Sequence, residues 1–282
     1  MYKFLAGIVL FNPDIERLKQ NIDAILPQVD RVVCVDNGSS DLTTVKQSLP
    51  SIIDYIENGH NLGIAAALNQ ILQYAKASGY EWFITLDQDS VCEPGLIDDY
   101  RRYVNLPEAG MLTCRIVDRN FSVKSKYEPM TVPIEIDECI TSAAFCNTEA
   151  LNAVGGFDEK MFIDSVDFEI CLNLRKHGYK IYRTDFMGLL HEVGHGRNVK
   201  LLWKKRVVYN HSALRNYYMA RNHVYMAKKY PHDVPMLKTM IKEWERRLLI
   251  FLYEDKKKEK LSARRQGVKD ARNMRMGECT WL

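Results

Sequence analysis

Several things are missing from this chain, and each absence removes a class of function. No run reaches the ~18 consecutive apolar residues of a membrane-spanning helix. No GxxxxGK followed by Ser or Thr occurs, which excludes the phosphate-cradling loop of P-loop enzymes. No GxGxxG follows the first apolar run, so a nicotinamide dehydrogenase is disfavoured; Gly194-His195-Gly196 lies far from that run and lacks the third glycine. The seven cysteines are odd in number and contain no CxxC pair, which argues against a disulfide framework or zinc site and for reduced thiols filling a core. MYKFLAGIVLFNPD has one lysine and no small-residue cleavage site, so it reads as a first strand rather than a signal peptide. The formal net charge of +3 gives no basis for nucleic-acid binding.

What is present is ordinary globular material. The chain has 282 residues, 46% apolar and 27% charged, enough for one large α/β domain or one domain with an appendage. Apolar runs alternate with amphipathic stretches in the first half. Strands are expected at residues 4–11, 31–35, 52–57 and 81–86, and helices at 15–26, 42–49, 64–77 and 94–104. Such alternation implies βαβ units and a mostly parallel sheet. From 111 to 136 the pattern loosens into short β-like pieces. Helices at 148–154 and 166–177 and a strand at 180–184 follow, and beyond His191 the chain reads as helical, with an apolar helix face over 236–253.

Ligands of open α/β sheets bind at the carboxyl ends of the strands. The residues there are Asn12-Pro13, Asp36-Asn37-Gly38-Ser39, Gly59-His60-Asn61 and Asp87-Gln88-Asp89, all polar, small or acidic. FITLDQDSV is the sharpest of these, because an apolar strand finishes in two like charges. D-x-D alone has three readings: an ordinary turn, a divalent-cation site, or an acid/base pair. The acidic residues at the start of the 166–177 helix, Asp167 and Glu169, have a plain explanation too, since carboxylates are favoured there by the helix dipole.

Nine segments in order carry a resemblance: IVLFNP (8–13), VDNGSSD (35–41), NLGIAAALN (61–69), TLDQDS (85–90), TSAAF (141–145), GGFDE (155–159), VDFEICLNLRKHGY (166–179), LLHEVGH (189–195) and RNYYMARN (215–222). Over roughly residues 3 to 225 the chain resembles the inverting nucleotide-sugar glycosyltransferases of family 2, in their rhamnosyltransferase-like branch. The resemblance implies a single Rossmann-like A-type glycosyltransferase domain of α/β class over 1–230. Its nucleotide-sugar half would be about 1–110, its acceptor half about 111–230, and a basic amphipathic helical extension would cover 231–282.

By the same resemblance, Phe11, Asn12 and Pro13 border the base and Asp36 hydrogen-bonds its edge. Asn37, Gly38, Asn61, Gly63, Asn69, Asp87 and Gln88 complete the nucleotide-sugar site, and Asp89 with His191 ligates Mg²⁺ or Mn²⁺ on the diphosphate. The family pattern Glu-Asp-x-Asp appears here as Val166-Asp167-Phe168-Glu169, which keeps Asp167 as general base. Ser142, Asp164 and Glu169 are expected on the acceptor side. Leu68 stands where many relatives have Arg, Ala143 where a glycine is common, and Phe11 where Tyr is frequent.

The implied activity is transfer of L-rhamnose from dTDP-rhamnose to a saccharide or lipid-linked saccharide in surface-polysaccharide synthesis. A UDP-sugar donor (glucosyl, galactosyl or galactofuranosyl), a nucleotidyltransferase and a non-catalytic sugar-nucleotide scaffold are the alternatives. Residues 238–282 carry thirteen Lys and Arg against seven Asp and Glu, a net +6 that leaves −3 for the remainder. A basic tail with Trp244 and LLIFLY (248–253) fits peripheral contact with a bilayer from the cytoplasmic side, and a homo-oligomer contact would use the same features. Trp203, Trp244 and Trp281 read as packing or interface anchors. Arg215 and Arg221 either reach phosphates or belong to a helix that packs its tyrosines beneath the site.

Overall fold

In β1 (Phe4–Leu10) every side chain of FLAGIVL is buried, the pattern of a strand covered on both faces. A computed structural model of the protein describes residues 3–118, 133–191, 196–201 and 204–279, except the side chains of 117, 118, 190, 191 and 204. The sequence features at Trp203, Trp281 and His195 lie outside the described residues. Beside β1 run β2 (Arg31–Asp36) and β4 (Trp82–Asp87), with β3 (Asp54–Glu57) beyond β2, all parallel. The connections are α1 (Ile15–Ile25), α2 (Leu42–Ser48) and α3 (Ile64–Ala77). Asp14 and Asp41 cap α1 and α2 by accepting the N–H of Arg17 and Thr44, which satisfies donors the helices cannot.

The sheet then turns mixed. β5 (Val91–Cys92), α4 (Leu96–Arg101), β6 (Ala109–Asp118), β7 (Ile134–Ile136), β8 (Ala144–Asn147), α5 (Thr148–Ala153), α6 (Val166–Lys176) and β9 (Lys180–His191) follow. The order is β3-β2-β1-β4-β8-β6-β9-β5, with β7 on β9. β8 is antiparallel to β4 and β6, and β5 and β7 are antiparallel to β9, while β6 and β9 are parallel. α4 is shorter than the expected 94–104 because Gly95 takes a left-handed conformation immediately before it. β9 runs well past the expected Thr184. Register shifts along its pairing with β6 break the simple alternation that would have shown its length.

The core of this sheet centres on Phe145. Trp82 and Tyr100 stack on its ring and Phe4 meets it edge-on, each with centroids 5.2 Å apart. The cysteines are free, and burial pushes the Cys34 and Cys92 thiols up to about 12, as inert core filler requires.

Beyond His191 the first elements are not helices. β10 (Arg197–Leu201) and β11 (Lys204–Val208) form an antiparallel hairpin with only residues 202 and 203 between them. Val199, Val207 and Val208 favour extended backbone and outweigh the flanking Lys and Arg, which the sequence reading took for helix. α7 (Ala213–Lys229), α8 (Met236–Tyr253) and α9 (Lys257–Arg272) complete the chain. A Cβ on Gly267 of α9 would lie 2.4 Å from the Tyr217 carbonyl oxygen of α7, so the two helices meet backbone to backbone.

Two compact units result. One gathers Met1–Asp158 with Asp167–Glu192, the other Glu159–Val166 with Val193–Leu282. Within the second unit α7 packs with α8 and α9. No helix among the described residues is long and apolar enough to cross a membrane.

Candidate active site

Register places the first acidic groups. Leu10 pairs with Asp36 on one side of β1 and Val9 with Asp87 on the other. Adjacent strands lie about 4.8 Å apart, so the two aspartates flank the carboxyl end of β1 with backbones roughly 10 Å from each other. The turns after these strands are bound together. The Phe11 N–H donates to Gln88 Oε1 at 2.8 Å and Gln88 Nε2 returns a bond to the Phe11 carbonyl at 3.3 Å. Asn12, left-handed at φ 47°, donates its N–H to Ser39 Oγ and accepts from the Ser40 N–H and hydroxyl through Oδ1, each at 2.9 Å. Phe11 itself is 46% exposed, an aromatic face open at the strand tip beside Pro13.

Asp36 is buried and accepts from the Gly38 N–H at 3.1 Å and from the Ser39 N–H at 3.1 and 3.3 Å. A carboxylate offers about four acceptor positions, so a further donor can still be taken. Gly38 is required in this turn: its φ is +88°, and a Cβ would sit 2.7 Å from the His60 Cα. Asn37 and Asn61 are scaffold. Asn37 donates to Asn61 Oδ1 (2.9 Å) and the Gly63 carbonyl (3.2 Å), and accepts from the Leu62 N–H (2.9 Å) and Asn58 (3.2 Å). Asn61 Oδ1 also takes the Gly63 N–H at 2.9 Å, fixing the start of α3. Asn69 clamps the Gly155-Gly156-Phe157 turn, bonding the Phe157 carbonyl at 2.9 Å and its N–H at 2.8 Å. Both ends of its amide are bonded to the Phe157 backbone.

Asp89 is exposed at the tip of the turn after β4, and Asp87 is half-buried. Their turn is held from beneath. Ser142, expected on the acceptor side, is buried; its Oγ donates to Ser90 Oγ at 2.8 Å and accepts the Asp87 N–H at 3.2 Å. Asn21 of α1, fully buried, donates to the Asp87 carbonyl at 2.7 Å. Its signal in the sequence is a polar residue on the apolar face made by Leu18, Ile22 and Ile25. Ala143 follows at φ 60°, a left-handed conformation that explains why glycine suits this position, and the Tyr100 hydroxyl fixes its carbonyl at 2.7 Å. Val91, two residues after Asp89, pairs with Leu190, the residue before His191. The His191 side chain lies outside the described residues.

Among the described residues no three His, Cys, Asp or Glu stand grouped as a metal cage. An exposed carboxylate two residues from Asp87's half-buried one nevertheless fits a hard divalent cation that takes its other oxygens from a ligand.

Asp167 is the second residue of α6 and half-buried; one carboxylate oxygen accepts the Phe168 N–H at 3.0 Å. Cys171, one turn further along α6, packs on Cys139 with sulfurs 3.9 Å apart. Cys139 is three residues before Ser142, so this contact brings α6 toward the segment before β8 that supports the acidic turn. Glu169, expected on the acceptor side, is fully buried in α6. Asp164 is half-buried, accepts the Ser165 hydroxyl at 3.1 Å and pairs with Arg215 at 3.6 Å.

Residues just before Asp167 are strained. Phe162, Asp164 and Ser165 all have positive φ, 63°, 75° and 61°. Each costs about 1–2 kcal/mol for a side-chain-bearing residue. α7 holds this loop: Asn222 Nδ2 donates to the carbonyls of Met161 (3.0 Å), Ile163 (2.8 Å) and Asp164 (2.8 Å). Arg221, fully buried over the Tyr218 ring, donates to the Lys160 and Met161 carbonyls at 3.1 and 2.8 Å. Arg221 is thus occupied with backbone, and the reading of its motif as packing with tyrosines is the one the structure supports. Asn222 had no role in the sequence reading, although RNYYMARN contains it.

Comparison with known proteins completes the picture. Residues 6–163 match glycosyl transferase family 2. The dTDP-rhamnosyl transferase RfbF of Shigella flexneri is 30% identical over 251 residues, covering 82% of this chain and 81% of that protein. S. aureus TarS 1–349, solved with UDP-GlcNAc, superposes with a TM-score of 0.60 at 14% identity, over 95% of this chain and 81% of that one. GalNAc-T7, solved with UDP, GalNAc and Mn²⁺, gives 0.62 at 13% identity over 97% of this chain, which spans 56% of that longer protein. The structural likenesses show the fold, and the sequence matches set aside the nucleotidyltransferase and scaffold alternatives. The chain belongs to glycosyl transferase family 2: it is a glycosyltransferase of A-type fold.

Proposed function

We propose that the enzyme transfers L-rhamnose, with inversion, from dTDP-rhamnose to a hydroxyl of a saccharide or lipid-linked saccharide. The observation that carries the donor is the 30% identity to the rhamnosyl transferase RfbF across most of both chains. In this reading the thymine ring lies against the exposed Phe11, and the acceptor position left on Asp36 takes the base N–H. Asp87 meets the ribose or the sugar. Asp89 would hold Mg²⁺ or Mn²⁺ on the diphosphate, with His191 as the expected second ligand. When bound, that cation supplies positive charge against the departing nucleotide diphosphate.

Asp167 takes the proton of the acceptor hydroxyl as its oxygen bonds to the anomeric carbon. The bond from that carbon to the diphosphate oxygen breaks, and its electron pair leaves with dTDP. Asp164 stands on the acceptor side, steadied by Arg215. A UDP-sugar donor is the second reading, favoured by the TarS complex with UDP-GlcNAc at 14% identity.

The test is Asp167→Asn, compared with Asp164→Asn. Asp167→Asn should bind dTDP-rhamnose as the parent does while transfer falls by at least about 10²-fold, the typical weight of a general base. Transfer undiminished in Asp167→Asn, and lost in Asp164→Asn instead, would move the base to Asp164.

A further inference from the structure

α8 buries acidic groups beside Leu249 and Ile250. Glu243 pairs with the buried Arg264 of α9 and with Arg247 at 2.9 Å, and the buried Glu254 just after the helix pairs with Lys260 at 3.0 Å and Arg246 at 2.7 Å. Five large apolar residues of α8 face outward. Leu237 is 74% exposed, Ile241 57%, Trp244 66%, Phe251 60% and Leu252 45%. The spacing of four, three, seven and one residues places them in one stripe along the helix. A stripe of this length on a water-facing helix is a surface meant to be covered.

The stripe is bordered by positive charge. Lys238 and Lys242 are exposed on one flank, and Lys256, Lys257 and Lys258 at the end, against Asp255 and Glu259. On the other flank, about 60–80° around the helix from Leu237, Met240 and Arg247 open a groove of about 280 Å³ toward α9. Arg265, Val268, Lys269 and Arg272 line its far side. Arg265, Lys269 and Arg272 are exposed and make no ion pair among the described residues. A second copy laid on this face by a two-fold axis would set these cations against one another. Anionic headgroups neutralise them instead.

We propose that α8 and α9 form a docking surface for an anionic phospholipid bilayer, with the α8 stripe in the headgroup–acyl boundary and the α8–α9 groove holding lipid phosphates. The surface would bring the enzyme to a lipid-linked acceptor. In that respect it rests on the proposed function, but vesicle binding is read without donor or acceptor.

The experiment is flotation of the full chain with phosphatidylcholine vesicles, with and without phosphatidylglycerol, at low and high salt. The parent should float with the anionic vesicles at low salt and release at high salt, with Trp fluorescence shifted to the blue. The Ile241→Glu/Trp244→Glu variant should lose flotation. Arg265→Glu/Lys269→Glu should weaken it at least about tenfold, as loss of two charge contacts predicts. All four sites are solvent-facing, and circular dichroism checks that the fold survives. No flotation of the parent, or flotation unchanged in either variant, overturns the proposal. So does a parent dimer in light scattering that Ile241→Glu/Trp244→Glu makes monomeric without changing flotation. Failed flotation with intact dTDP-rhamnose transfer rejects only the docking surface; intact flotation with no transfer rejects only the donor reading.

Discussion

Asp87 and Asp89 end a strand whose other side chains are buried, and their environments differ: one is half-buried, the other exposed. The pair is positioned by neutral groups beneath it, Ser142, Ser90 and Asn21. Ala143, in the same support, bears a local cost. Its φ of 60° is adopted with a Cβ present, which costs about 1–2 kcal/mol, whereas glycine is free of that penalty but gives up more entropy on folding, about 0.5–1 kcal/mol. Ala143→Gly is therefore expected to leave stability unchanged or raise it by up to about 1 kcal/mol in thermal denaturation. A loss of more than about 1 kcal/mol would mean that the Ala143 methyl packs well enough to outweigh the strain.

Among the elements, α7 stands out because its Asn222 and Arg221 hold the loop 159–166, which leads in sequence into Asp167, the proposed base. Asn222→Ala takes this donor from the Ile163 and Asp164 carbonyls in a buried setting, while the Met161 carbonyl keeps Arg221. It should destabilise by about 2–3 kcal/mol and lower kcat more than donor affinity, read by denaturant melts and by kinetics beside donor calorimetry. A fall in donor affinity with kcat intact would show that the loop serves the nucleotide instead. Glu243→Leu should be costlier, about 3–5 kcal/mol, since it strands the buried Arg264. The βαβ elements were legible in the sequence, their apolar periods matching β1 to β4 and α1 to α3 closely. The hairpin β10–β11 was not, because its β-branched residues sit among Lys and Arg that read as helix surface. The acidic tips were legible as a group, since each follows a strand. The hydrogen bonds by which Asn37, Asn69 and Ser142 tie distant segments together were not, because they join residues far apart in the chain. The strain at Phe162, Asp164 and Ser165 is likewise invisible without backbone angles.

For the whole molecule, pH acts through the unit that contains the helices. Burial holds His211 and His223 below the ordinary value of 6.5. For His211, Arg215 and Arg246 reinforce the lowering while Asp164 and Glu254 oppose it. For His223, Arg264 and Lys242 reinforce it while Asp164 and Glu243 oppose it. The unfolded chain then binds more protons than the folded one, so stability from these groups is present above about 6.5 and falls as pH drops toward the lowered folded values. The melting temperature should fall between about pH 7.5 and 5.5, and His223→Phe should flatten that slope. An equal slope in the variant would assign the pH effect to other groups. The donor decides the account as a whole. The most direct measurement is calorimetric titration of the enzyme with dTDP-rhamnose, UDP-glucose, UDP-galactose, UDP-galactofuranose and GDP-mannose, each with and without Mn²⁺. The account predicts metal-dependent binding of dTDP-rhamnose above the others, lost in Asp89→Asn. Preference for a UDP-sugar, or dTDP-rhamnose binding indifferent to both metal and Asp89, would contradict it.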